Sequence, residues 1–182
     1  IAQPNMRNDL DFLELGTPRL GFLVSSGNID SMVNHYTVSK RKRSKDMYSP
    51  GGRMGLRPDY ATVKYSQRLR KLFTNTPIII GGIEASLRRT AHYDYWKDTV
   101  SKSILIDSKA DILVYGMSEL SIVEVADYLH SGLDVKDIVF IKGTVFKTKN
   151  PDYIPIDGIL LPTYDEILDN KKSYAESFLI KH

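Results

Sequence analysis

Three short apolar runs constrain this chain more than any other feature of its sequence. Residues 19–24 read RLGFLV, residues 77–80 read PIII and residues 111–115 read DILVY. Each run is continuous rather than alternating, the pattern of a strand buried on both faces of a parallel sheet. Helical periodicity fills the intervals. Residues 59–73 follow Pro58 and place Ala61, Tyr65, Leu69 and Leu72 on one face, with Lys64, Arg68 and Lys71 on a solvated face. Ser118 is positioned to cap a helix running to His130, with Ile122, Ala126 and Leu129 inward and Gly132 ending it. Residues 138–147 (IVFIKGTVFK) add a further strand, and a last helix is expected over residues 164–179 with Leu168, Ala175 and Phe178 inward. Strands alternating with helices define an α/β layer architecture, a mostly parallel sheet flanked by helices.

Two stretches fit no regular element. Residues 37–58 (TVSKRKRSKDMYSPGGRMGLRP) lack apolar periodicity, and a loop of that length inside a domain is functional or disordered. Residues 147–162 are punctuated by proline and read as an extended connector to the final helix. The division expected is therefore an α/β domain over residues 1–146, then a connector and helix over 147–182.

Each of the three strand runs ends in a similar turn. Ser25, Ser26, Gly27 and Asn28 follow the first, Gly81, Gly82 and Glu84 the second, and Gly116 and Glu119 the third. In a parallel sheet these turns share the carboxyl edge, where ligands of open α/β sheets bind. For any single turn, a tight connection with no ligand is the plainer reading; three together make a shared crevice credible. The second turn continues as GGIEASLRRTAHYDYW, residues 81–96. If it is helical, Glu84 and Arg88 form an i,i+4 pair that could orient Arg88 toward a carboxylate or phosphate. Arg89, His92 and Tyr95 complete the ligand-binding candidates. Glu84, His92 and Asp94 match no zinc spacing, and a packed polar corner around His92 is favoured over a metal site. His35, beside Tyr36, reads as a satisfied structural histidine.

Charge is uneven. Residues 35–97 carry a net +10 while the whole chain carries +3. Lys40, Arg41, Lys42 and Arg43 are the densest part and the anion-binding candidates; Tyr36, Tyr48, Tyr60 and Tyr65 interleave with the positive charges. The chain has no Cys, which removes disulfides, thiolate-held metals and a Cys nucleophile. There is no P-loop and no G-x-G-x-x-G after a strand. No apolar run approaches the length of a membrane span. The opening IAQPNM has no signal-peptide pattern and reads as the end of a strand, as expected for a piece of a longer chain. No nucleophile, base and acid can be assembled, so no catalytic residue is assigned.

The segments SGNIDSMVNHYT (26–37), SPGGRMGLRPDYATVKYSQRLRKLF (49–73), PIIIGGIEASLRRTAHYDYW (77–96) and SILIDSKADILVYGMSE (103–119) strongly resemble the N-terminal region of the YgiQ-type radical S-adenosylmethionine proteins. LPTYDEI and YAESF (161–178) resemble the connector before the radical core of that family. The resemblance implies a cytoplasmic protein whose C-terminal core holds a [4Fe-4S] cluster through a CxxxCxxC motif and binds S-adenosylmethionine. It also implies a Rossmann-like, cobalamin-binding-like fold here, with IAQP ending a second strand and an earlier strand and helix absent. None of the cluster ligands falls in these residues, and the DxHxxG pattern that supplies a cobalt ligand does not occur. The leading expectation is an accessory domain, not catalytic alone, whose partner is its own C-terminal radical core and which shapes access for an unidentified substrate. The alternatives are an RNA- or other anion-binding module using the basic 40–71 region, and a cobalamin-like cofactor-binding domain.

Overall fold

The second and third apolar runs form the centre of the sheet, because nothing polar interrupts them. A computed structural model of the chain describes residues 2–181. In chain order its elements are α1 (Leu10–Leu13), β1 (Phe22–Val24), α2 (Ser31–His35), α3 (Ala61–Leu72), β2 (Ile78–Ile80), α4 (Gly82–Leu87), β3 (His92–Asp94), β4 (Thr99–Ser101), α5 (Ile104–Asp107), β5 (Ile112–Val114), α6 (Glu119–His130), β6 (Thr144–Phe146), α7 (Tyr164–Asp169) and α8 (Lys171–Lys181). The four-stranded sheet has the order β1-β2-β5-β6. β1, β2 and β5 are mutually parallel, and β6 closes the far side antiparallel to β5. This is the mixed α/β, mostly parallel architecture that the sequence pattern predicts.

The sheet separates two cores. On one face Val24, Ile78, Ile80 and Leu113 meet Ala61, Tyr65 and Leu69 of α3, Ala85 of α4 and Leu105 of α5. On the other, Ile79, Ile112 and Val114 meet Val125 of α6 together with Ile138 and Ile141. Burying each such isoleucine or leucine contributes about 1.5–3 kcal/mol, so the alternation of Ile78, Ile79 and Ile80 between the two faces explains why an unbroken apolar run is required. β1 departs from this pattern. Leu23 lies 69% exposed, and β1 is an edge strand of the sheet.

Several expectations are corrected. Arg68 is not merely solvated: it pairs with Asp9 and donates to the Met6 carbonyl, tying the N-terminal segment to α3. Ser118 precedes α6 without a side-chain cap bond, whereas Gly132, at φ 92°, ends the helix as expected. The final helix is two helices broken at Asn170, and Leu168, Ala175 and Phe178 face outward. Ile167 and Ser177 face inward instead. A real capping box at Thr163 and Glu166 starts α7, and the new start after Asn170 rotates the apolar face. Residues 2–5 are not in a strand; Ile1, which the strand reading included, and His182 lie outside the described residues. The hairpin β3–β4 leaves no apolar pattern in the sequence, because its strands are short, polar and paired with each other.

Candidate functional site

The three turns do meet along one edge. The Gly81 N–H donates to the Val24 carbonyl (3.0 Å), and the Gly116 N–H donates to Ser86 Oγ (3.3 Å). A Cβ on Gly82 would stand 3.2 Å from the Ser25 Cβ, and Gly82 itself has φ 80°. A Cβ on Gly81 would stand 2.9 Å from Val114 Cγ2. The double glycine is therefore needed for a close approach at the first position and for a left-handed backbone at the second. Ser25, Gly27, Asn28, Gly82, Gly116 and Glu119 are exposed on this rim. Ser26 is not: it is buried, donates to the Ile29 carbonyl, and its own carbonyl accepts from Arg57 Nη1 at 2.5 Å.

Glu84 does not hold Arg88. Its carboxylate is fully buried and accepts from the Ser31 N–H (2.8 Å), the Ser31 hydroxyl (2.6 Å) and the Thr62 N–H (3.0 Å). Ser31 and Thr62 open α2 and α3, so one carboxylate satisfies orphan donors at two helix N-termini and joins three elements. Ser31 Oγ also accepts from the Ala61 N–H (3.0 Å). Arg88 pairs instead with Asp30, the residue that caps α2. Burial pulls the Arg88 guanidinium down, but the Asp30 bond and charge outweigh it and leave its pKa raised. Arg89 donates to the Ser86 carbonyl and lies over the Tyr115 ring. Tyr95 donates to the Val38 carbonyl. The contemplated metal set is not assembled, since Glu84 faces the helix N-termini while Asp94 accepts from Tyr60 Oη and the Trp96 and Lys97 N–H groups. Among the described residues no three His, Asp or Glu side chains are grouped to hold a metal.

Sequence reasoning missed the organiser of the long loop. Asp46 is fully buried and accepts from Asn34 Nδ2, Ser49 Oγ, the Tyr48 N–H, His35 Nε2 and both Nε and Nη2 of Arg57. Burial raises its pKa, but those hydrogen bonds and the Arg57 charge prevail and hold it at about 2. His35 is buried with Nδ1 2.7 Å from Asp59 and Nε2 3.2 Å from Asp46. Asp59 is likewise pushed up by desolvation and then lowered by the bonds from Tyr36 and His35. Each ring nitrogen of His35 thus faces a carboxylate, and Asp59 also accepts from the Tyr36 hydroxyl. Residues 37–58 are thus a folded excursion with an ionic centre. It presents Lys40, Arg41, Lys42 and Arg43 to solvent, Lys40 resting 4.7 Å over the Tyr95 ring and Arg43 Nε donating to the Tyr36 carbonyl. The signal available in sequence was a lone Asp in a strongly basic run.

The rim also carries apolar side chains. Ile83 and Leu87 lie on the exposed side of α4, Met117 (92% exposed) on the turn after β5 and Leu120 (80%) in the first turn of α6. The edge thus combines turns fixed by hydrogen bonds and buried ionic supports with an apolar margin. The family model described as Radical SAM N-terminal matches residues 1–182, and the chain belongs to that family. It is 56% identical to a UPF0313 protein of Clostridium perfringens (strain 13 / Type A) and 53% identical to one of Clostridium botulinum (strain ATCC 19397 / Type A). In both cases the match covers all of this chain and 28% of the relative. No solved structure matches the chain. The cluster that the family name implies does not fit the donors here, since the chain contains no Cys. The three turns hold no His that could ligate cobalt. No helix among the described residues is long and apolar enough to cross a membrane.

Proposed function

We propose that this chain is an accessory domain of a radical S-adenosylmethionine protein, non-catalytic by itself. It seats against the iron–sulfur core of the longer polypeptide through the rim and limits substrate access with the 37–58 excursion. The observation that carries this reading is the rim's apolar margin, Ile83, Leu87, Met117 and Leu120, beside turns whose backbone is locked by hydrogen bonds. Exposed apolar groups clustered at a rigid edge favour a protein partner. That the chain spans 28% of its curated relatives supplies the source of that partner.

The test uses the full-length protein, reconstituted anaerobically. Met117→Glu with Leu120→Glu is expected to open the junction to limited proteolysis and to reduce S-adenosylmethionine cleavage. The same pair in the 182-residue chain should leave its unfolding midpoint unchanged. Unaltered proteolysis and cleavage in the full-length variant would remove the rim from the interface.

A further inference from the structure

A second feature lies away from the rim. Between α3, α5 and the β3–β4 hairpin is a cavity of about 490 Å³, inside the usual size range of small-molecule sites. Tyr60, Lys64, Arg88, His92, Asp94 and Lys97 line it. Tyr60 adopts a left-handed backbone at φ 54°, a conformation disfavoured for a residue with a Cβ. It is held there from several sides. Its hydroxyl donates to Asp94, Lys97 Nζ stands 4.5 Å over its ring, and Arg88 Cζ lies 5.9 Å from the ring centre.

Two of the nearby carboxylates, Asp94 and Asp30, are committed to the protein, while Asp107 also lines the cavity. Asp94 Oδ1 already accepts from Tyr60 Oη and the Trp96 and Lys97 N–H groups. Asp30 accepts from Arg88 and from the Met32 and Val33 N–H groups. The ammonium groups are less engaged. Lys97 Nζ is 3.7 Å from Asp94 Oδ2, and among the described residues no carboxylate lies within ion-pair distance of Lys64. His92 adds a different function. Its Nδ1 is bonded to the Thr90 carbonyl at 3.1 Å and so carries the hydrogen. Burial lowers its pKa, which keeps the ring neutral at pH 7 and leaves Nε2 an acceptor. The cavity therefore offers two cations for an oxyanion and one acceptor for an adjacent O–H.

We infer that this cavity binds a phosphate monoester of a small metabolite, Lys64 and Lys97 taking the phosphate oxygens and His92 Nε2 accepting from a hydroxyl beside them. This inference does not depend on the rim. It also places anion recognition apart from the Lys40–Arg43 cluster.

Nuclear magnetic resonance titration of the ¹⁵N-labelled chain tests it, with ribose 5-phosphate, inorganic phosphate and ribose as probes. Saturable shifts are expected at the amides of Tyr60–Lys64 and His92–Lys97 with ribose 5-phosphate. Lys64→Ala with Lys97→Ala, both on exposed side chains, should weaken binding at least about tenfold, from two lost charge-assisted bonds. Lys40→Ala with Arg41→Ala should leave it unchanged. Inorganic phosphate shifting the same amides more weakly supports a monoester site; equal response to ribose overturns it. Shifts confined to residues 40–45, an unweakened double variant, or no saturation with any phosphate probe also overturn it.

Discussion

Replacing Asp46 with Asn should detach the basic excursion and reveal how much of the chain's stability it stores. The carboxylate receives six hydrogen bonds, from Asn34, Ser49, Tyr48, His35 and twice from Arg57. Asn keeps one acceptor oxygen and turns an NH₂ toward a set of partners that includes the Arg57 guanidinium and the Tyr48 N–H, which can only donate. Arg57 is buried, and Asp46 is its only ion-pair partner among the described residues. Removing one member of a buried pair costs about 3–5 kcal/mol. The pH dependence gives a second figure. The Asp46 pKa is about 2 in the folded chain against an ordinary 3.8. That difference is worth about 2 kcal/mol. Because the folded pKa is depressed, the contribution is fully present above about pH 4 and is lost as the pH falls toward 2. Urea unfolding at pH 7 and near pH 2, followed through Trp96, reads both. Trp96 is the chain's one tryptophan and stacks on Tyr36 at 5.4 Å, so its fluorescence also reports docking of the excursion. Asp46→Asn should unfold about 3–5 kcal/mol more easily at pH 7, with a gap to the parent chain that narrows by about 2 kcal/mol near pH 2. A loss under about 1 kcal/mol, or a gap that does not change with pH, would refute the ionic centre.

Two further outcomes follow from the same geometry. Glu84→Ala strips acceptors from the buried Ser31 and Thr62 N–H groups, and at about 1–3 kcal/mol for each orphaned donor it should lower stability by about 2–6 kcal/mol in chemical denaturation, with Glu84→Gln intermediate; equal stability of parent and Ala variant would contradict the junction described. If the exposed Lys40–Arg43 group contacts RNA, neutralising all four should weaken binding and flatten its salt dependence by about 3–4 in slope; no salt-sensitive binding by the parent chain removes that reading.

Local pattern determined much of this protein. The unbroken Ile78–Ile80 and Ile112–Val114 runs can be satisfied only by burial on both faces, and Ala61, Tyr65 and Leu69 can share one face only in a helix. The carboxyl-edge position of Ser25, Gly81 and Gly116 follows once those strands are parallel. Even so, exposed rim groups and buried supports share these turns. Glu84 and Ser26 carry the same residue types a ligand site uses, and nothing in their neighbours along the chain distinguishes a buried carboxylate from an exposed one.

Tertiary structure alone decided where charges find partners. Glu84 meets Ser31 across 53 residues, Arg88 meets Asp30 across 58, and Arg68 meets Asp9 across 59. Each pairing is chosen by which donors lose water together when helices and sheet close, a property of three-dimensional neighbours and not of spacing. The same holds for the cavity beside Tyr60, whose groups come from α3, α5 and a hairpin with no apolar signature. Periodicity reports which side of an element leaves water; the identity of what waits on the other side is set by the assembled fold.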